Sequence, residues 1–420
     1  MHFYPRHLLV IAELAVIFAC ASMLFNVAPH TAHAATTAPS TTVFTKKPFE
    51  VSGWIPYWRT ATGTADVLPH LSQMTEVNPF GYTVKQDGSL YDAAGFAKGD
   101  WATIQAAAKA KKVRFIPTVM WSDTASIHNV LSNPKLRSQH VQAIVDMVNQ
   151  NGFDGVDIDY EGKLADDRDN YSAFLKELYK KIGNKWVMCT IEARTPPDSL
   201  YKAIPADLEY ANDYKAINKY CDRVKLMTYD QESADLKLND ASKGLYTPIA
   251  DPAWVTKVVN LTAKDITKSK IEIGVATYGY IYQVMPYADG SGYRYDLLEA
   301  FNPTYATDLA KSLGITPSRN AAGELSFSYV PTTLSKAGLP SQSKLASYAP
   351  AGTPSSLLAA VGSLQVAKAE SKQSPFYLLW WSDSKAIADK VALAKKLGVR
   401  GVAVFKMDGG EDQAMWSVLR

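Results

Sequence analysis

Short apolar runs punctuated by Gly, Pro, Asn and Asp recur along the chain. Eight of them read as strands: residues 50–55 (EVSGWI), 77–84 (VNPFGYTV), 113–120 (VRFIPTVM), 153–160 (FDGVDIDY), 186–193 (WVMCTIEA), 223–229 (RVKLMTY), 271–278 (IEIGVATY) and 400–405 (RGVAVF). Several of the intervals carry a helical period instead. Val141, Ile144, Val145 and Val148 mark one face, opened by Asn133-Pro134 and closed by Asn151-Gly152. Tyr171, Phe174, Leu175, Leu178 and Ile182 mark a second, ended by Gly183. Asp251-Pro252 opens a third, with Val255, Val258 and Val259 inside it, and Ile387, Val391, Ala394 and Leu397 form a fourth, closed by Gly398.

Strands that alternate with helices predict an α/β fold with a parallel sheet, most simply a closed (β/α)8 TIM barrel; a doubly wound open sheet is the rival on pattern alone. The interval 280–376 is too long for one helix. It reads as a small α+β insertion after the seventh strand, with a helical piece near 302–313, a strand-like piece at 325–330 and a Ser/Ala/Pro-rich excursion at 331–374. No internal repeat is visible.

The N-terminus differs from the rest. Arg6 and His7 precede an apolar run from Leu8 to Phe25, and Ala32-His33-Ala34 supplies an A-x-A cleavage pattern, so residues 1–34 read as a signal peptide. An uncleaved membrane anchor is the alternative, since the apolar core is long. A lipoprotein site at Cys20 is disfavoured, because Phe18 stands where a small residue belongs. Residues 35–48 (AATTAPSTTVFTKK) read as a tether, leaving 49–420 as the catalytic unit. The expected location is therefore outside the cytoplasm, secreted or at the cell envelope, and the only membrane contact expected is through the leader.

Composition narrows the classes. Of 420 residues 47% are hydrophobic and 20% charged, with a net charge of +3, which excludes a disordered chain and gives no ground for a nucleic-acid partner. Beyond the leader only Cys189 and Cys221 remain, read as two buried free thiols in preference to a single bridge. His70, His128 and His140 sit at no metal-ligand spacing with another His or Cys, so no zinc site and no cofactor is expected.

The chemistry concentrates at residues 154–161, DGVDIDYE. Alternate residues of a strand share a face, so Asp157, Asp159 and Glu161 point the same way at the strand's C-terminal end, where barrel enzymes place their sites. Asp154 has the opposite parity and reads as structural. Three close carboxylates do not all ionise at neutral pH, and a proton held on Glu161 makes it a general acid. A metal site on this acidic strand is the competing reading. Two carboxylates on one strand approach a sugar from one side, whereas ordinary glycosidases flank the scissile bond. The nucleophile must then come from elsewhere, and the 2-acetamido group of an N-acetylated sugar can supply it.

DGVDIDYE resembles the D-G-x-D-x-D-x-E signature of glycoside hydrolase family 18. Met227-Thr228-Tyr229-Asp230 is similar to that family's M-x-Y-D, and Tyr278-Gly279-Tyr280 to its Y-G motif after the seventh strand. The stretch from Trp381-Ser382-Asp383 through GVAVFKMDGGED resembles the bacterial spore-germination and cell-wall branch. The resemblance implies Glu161 as proton donor and later base, Asp159 as orienter of the acetamide, Asp157 as the residue that tunes Asp159, and Tyr229 as a hydrogen-bond donor to the acetamide carbonyl. Asp230 and Met227 would line the same subsite. Where members carry a Trp at the end of the eighth strand, this chain has Phe405. Trp121 and Tyr82 are the further stacking candidates. The implied partner is an N-acetylated polysaccharide, chitin or peptidoglycan; a chitinase-like lectin that binds without turnover is the alternative.

Overall fold

The computed structural model describes residues 49–96 and 99–419. The leader and the tether lie outside the described residues. Among the described residues no helix is long and apolar enough to cross a membrane.

Eight parallel strands form the centre: β1 (Glu50–Pro56), β2 (Glu76–Val84), β3 (Thr118–Trp121), β4 (Gly155–Tyr160), β5 (Trp186–Glu192), β6 (Arg223–Met227), β7 (Ile271–Ala276) and β8 (Gly401–Phe405). Each pairs with the next, and β8 returns to β1 through Glu50↔Gly401 to Gly53↔Val404. The sheet is closed, which decides for the (β/α)8 barrel over the doubly wound rival. The run expected as one strand at 113–120 is broken. Arg114–Phe115 pairs separately with Glu76 and Val77, and β3 starts only after Pro117, which has no N–H to give a ladder.

The helices start and stop where the caps place them. Pro134–Gln150 begins at Asn133, whose side chain accepts the N–H groups of Lys135 and Leu136. Pro252–Thr262 begins at Asp251, which accepts from Ala253. Ser384–Leu397 ends at Gly398, whose φ of 68° is the left-handed conformation glycine adopts at little cost. The helices bury Val141, Ile144, Phe174, Leu178, Val255, Val258, Ile387 and Val391 against the outer face of the barrel.

Between β7 and β8 stands a five-stranded antiparallel sheet in the order Tyr293–Phe301, Gly279–Pro286, Phe376–Trp381, Leu325–Tyr329, Ser318–Arg319. Residues 331–374, the Ser/Ala/Pro-rich excursion, contain the helix Leu358–Glu370. Its buried positions other than Val366 are small, Ala359, Ala360, Gly362, Ser363 and Ala367, so it packs by close approach and shows no strong apolar stripe. Glu324 ties this sheet to the barrel by accepting the Ile249 and Ala250 N–H groups, each at 2.9 Å, and the indole of Trp380 at 2.6 Å.

The lower barrel interior is charged. Glu50 accepts from Arg223 at 2.6 and 2.9 Å and from Arg114 at 2.7 Å. Glu76 accepts from Arg114 and from Lys225, each at 2.8 Å. Burial pushes Glu76 up, but Lys225 and Arg114 outweigh it and hold the carboxyl at about 2. Each buried charge would cost several kcal/mol alone (roughly, after relaxation) and is tolerable only because it is paired.

One expectation is corrected here. Cys189 and Cys221 form a disulfide, fully buried, with Cα atoms 6.0 Å apart. Cys189 lies on β5 with its side chain outside the barrel, and Cys221 stands two residues before the start of β6, the neighbouring strand. Consecutive strands of a barrel are adjacent, so the two thiols meet although 32 positions separate them.

Candidate active site

The end of β4 carries the acidic cluster. Asp157 is fully buried inside the barrel. One of its oxygens, Oδ2, accepts the Trp54 indole N–H at 2.9 Å and the Thr118 hydroxyl at 2.8 Å; the other accepts the Thr190 hydroxyl at 2.9 Å. Asp159 lies one pleat higher on the same face, 4% exposed, and its Oδ1 has no hydrogen-bond partner. Burial, then Glu161, Asp157 and Glu192, raise its carboxyl well above the ordinary range. Glu161 follows the strand's last residue, half-buried at the mouth, with its N–H held by the Trp121 carbonyl at 2.8 Å. Burial pushes Glu161 up to about 7, aided by the charges of Glu192 and Asp230 and opposed by Lys163. A carboxyl poised there can give a proton and take one back at neutral pH.

The opposite rim is built by β6, β7 and β8. Met227 and Tyr229 follow one another on the inner face, Met227 half-buried and Tyr229 buried. Gly274 on β7 makes room for the tyrosine, since a Cβ there would lie 2.7 Å from Tyr229 Cε1. Asp230, at φ 54°, accepts the hydroxyls of Tyr278 at 2.6 Å and Tyr280 at 2.8 Å. Phe405 ends β8 half-buried and stacks on Tyr229 at 5.6 Å and 18°, with the edges of Trp54, Tyr278 and Phe80 around it. Burial, and then the carboxyls of Asp159, Asp230, Glu161 and Asp157 around it, keep the Tyr229 phenol protonated as a donor.

Seven of the nine residues expected from sequence therefore gather at one barrel mouth: Asp157, Asp159, Glu161, Met227, Tyr229, Asp230 and Phe405. Two do not. Trp121, opposite Tyr160 in the β3–β4 register, faces the helices; it donates its indole N–H to Ser126 at 2.9 Å and packs on His140 and Tyr160. Tyr82 is turned outward by a bulge between Phe80 and Tyr82, which sets it beside Val119 instead of the inner face, stacked on Phe96. Both belong to the core, and neither offers a ring to a sugar. Asp154, as its parity implies, is structural, accepting the Phe115 N–H at 2.8 Å.

Sequence reading missed the supporting groups. Trp54, Thr118 and Thr190 hold Asp157. Glu192 sits beside Glu161, braced by Asn212 at 2.9 Å, the Gly162 N–H at 3.2 Å and Lys163 at 3.7 Å. Trp54, Thr118, Thr190 and Glu192 share the inner parity of their strands, and polar residues at that parity were the available signal.

A profile described as Glycosyl hydrolases family 18 matches residues 52–410. The chain belongs to this family. It is a glycosidase. Over 368 residues it is 22% identical to the uncharacterised glycosylase YvbX of Bacillus subtilis, spanning 85% of this chain and 89% of that one. The fold is shared with the spore cortex-lytic enzyme SleL of Bacillus megaterium at a TM-score of 0.63 and 19% identity, over 89% of this chain and 74% of that one. It is shared likewise with a class V chitinase of Pseudomonas fluorescens at a TM-score of 0.65 and 21% identity, over 89% of this chain and 98% of that one. The family acts on N-acetylated glycans.

Proposed function

We propose that this family 18 glycosidase is an exported β-N-acetylglucosaminide hydrolase that works by a retaining, substrate-assisted route. The observation that carries the reading is the one-sided cluster: Asp159 and Glu161 leave the same strand end, with Glu161 poised at about 7. Across the mouth stand Met227, Tyr229 and Phe405.

Protonated Glu161 gives its proton to the glycosidic oxygen. The acetamide oxygen of the same sugar attacks the anomeric carbon, and the bond to the leaving sugar breaks. Asp159 accepts the acetamide N–H and stabilises the positive charge of the resulting oxazolinium, while the Tyr229 hydroxyl orients the acetamide oxygen. Glu161, now ionised, takes a proton from the incoming water, whose oxygen bonds to the anomeric carbon from the face the leaving sugar vacated as the bond to the acetamide oxygen breaks, and the acid is restored. Phe405 offers an apolar floor, and Asp230 and Met227 line the subsite.

Chitin-like chains and peptidoglycan glycan strands are the substrate candidates, and the names of the relatives, chitinase and spore cortex-lytic enzyme, support both. The buried Cys189–Cys221 bridge supports export, because structural disulfides form and persist in oxidising compartments. Mass spectrometry of the products from chitin oligomers and from purified peptidoglycan tests the reading. New reducing ends at N-acetylglucosamine support it. Binding without any product would leave the lectin alternative.

A further inference from the structure

Lys225 lies two residues below Met227 on the inner face of β6, fully buried. Its ammonium is 2.8 Å from Glu76 Oε1, 3.6 Å from Asp157 Oδ2 and 5.0 Å from the ring centroid of Trp54, the residue that donates to the same Asp157 oxygen. The acid cluster is thus joined to the charged floor of the barrel through one side chain.

The balance of that floor is informative. Glu50, Glu76 and Asp157 face Arg114, Arg223 and Lys225, three against three. The fourth interior acid, Glu272, is pushed up to about 7 by burial and by Glu76 and Glu50, and accepts the Ser52 hydroxyl at 2.5 Å. A buried cation with no reacting atom beside it costs desolvation and makes nothing by itself. Its position explains it: without Lys225 the only groups held against the Asp157 carboxyl would be the neutral donors Trp54, Thr118 and Thr190.

We propose that Lys225 is a positioning residue, whose ammonium, 3.6 Å from Asp157 Oδ2, holds that carboxyl at the base of the cluster and through it sets the electrostatic environment of Asp159 and Glu161 above. The inference rests on the glycosidase mechanism proposed above. Lys225 acts through Asp157 and touches no substrate. The groups facing it are Glu76 from β2, Asp157 from β4, Glu272 from β7 and Trp54 from β1. Those facing the upper carboxyls are Glu192, Lys163, Asp230 and Tyr229.

Lys225→Met and Lys225→Arg, with the wild type, test it on a chromogenic N-acetylglucosamine oligomer. Lys225→Met should lose about tenfold or more in kcat with KM nearly unchanged. The acidic limb of its pH profile should move upward, because carboxyls that have lost a neighbouring cation hold protons more tightly. Lys225→Arg should restore much of both. A folded Lys225→Met with the wild-type kcat and pH profile overturns the proposal. If Lys225→Met does not fold, the pair E76Q/K225M removes the cation together with its main counter-ion and is read the same way. A wild type inactive on every N-acetylated glycan overturns the mechanism instead, and the two failures are distinct.

Discussion

The indole N–H of Trp54 and the carboxylate of Asp157 meet at 2.9 Å across the barrel interior, from β1 to β4. With Thr118 and Thr190 this contact leaves Asp157 no freedom to turn, while Asp159 above it keeps an unpartnered oxygen. The lower carboxylate is fixed and the upper one is free to engage a ligand. That asymmetry is what an acetamide-assisted reaction requires of two neighbouring aspartates.

Glu161→Gln should lower kcat by about two to four orders of magnitude and leave oligosaccharide affinity within a few fold, because the amide keeps the shape and loses the proton. Single-turnover kinetics with calorimetric binding checks both. Unchanged turnover removes Glu161 from the mechanism.

The same substitution has a stability consequence. The folded state raises Glu161 from an ordinary 4.5 to about 7, so it favours the neutral form. The contribution is fully present below the unfolded value and is lost as pH rises through about 7. Above that pH the wild type carries an ionised, half-buried carboxylate beside Glu192 and Asp230, and Glu161→Gln does not. The variant should be more stable than the wild type at pH ~8 by roughly 1–2 kcal/mol, with the gain absent at pH ~4. Thermal melts at the two pH values measure it.

Substrate without the acetyl group should not be cleaved at the reacting position. With Asp159 and Glu161 on one side and Tyr229 and Phe405 across the mouth, the acetamide is the nucleophile the mechanism relies on. Partially de-N-acetylated chitin oligomers, with products sequenced by mass spectrometry, should show N-acetylglucosamine at every new reducing end. Glucosamine there at comparable frequency would contradict acetamide participation.

The closed barrel and its acid cluster were legible because period-two alternation is a strong signal: Asp157, Asp159 and Glu161 cannot share a strand without sharing a face. The errors have local causes. Tyr82 obeyed the same alternation on paper, but the bulge at Phe80/Tyr82 reverses it, and Gly81, a glycine inside the strand, was the mark that went unread. Trp121 shares its parity with Phe115 and Val119, which also pack outside the barrel, so a count along 113–121 that set Arg114 and Thr118 inward would have placed it among the helices. Lys225 was visible at the parity of Met227, yet a charge inside a strand is read only when its partners are known, and Glu76 and Asp157 come from other strands. The helix Leu358–Glu370 is built on small residues, whose burial leaves a weak pattern.

Phe405→Trp should hold or improve affinity for N-acetylated oligosaccharides, by about 0.5–1.5 kcal/mol where the larger ring stacks on the sugar. Phe405 is half-buried with Tyr229 against one face, so the added ring must grow toward the open mouth. Calorimetry on the Glu161→Gln background isolates binding from turnover. A large loss of affinity would mean that the ring at this position is packing for Tyr229 and not a floor for the sugar.

The bridge between Cys189 and Cys221 should matter for stability and little for chemistry. It closes a loop over 32 positions, which in the chain-entropy picture is worth about 3–4 kcal/mol. Its sulfurs lie on the outer face of the barrel wall, away from the mouth, among residues buried at 0% exposure such as Ile217 and Val224. Replacing both cysteines by alanine, or unfolding in the presence of reductant, should therefore lower the denaturation midpoint, while KM and the pH profile of the folded fraction stay as they were. Equilibrium unfolding with and without reductant measures the first, and steady-state kinetics at low temperature the second. A shift in the pH profile on reduction would show that strain from the β5–β6 wall reaches Thr190 and, through it, Asp157.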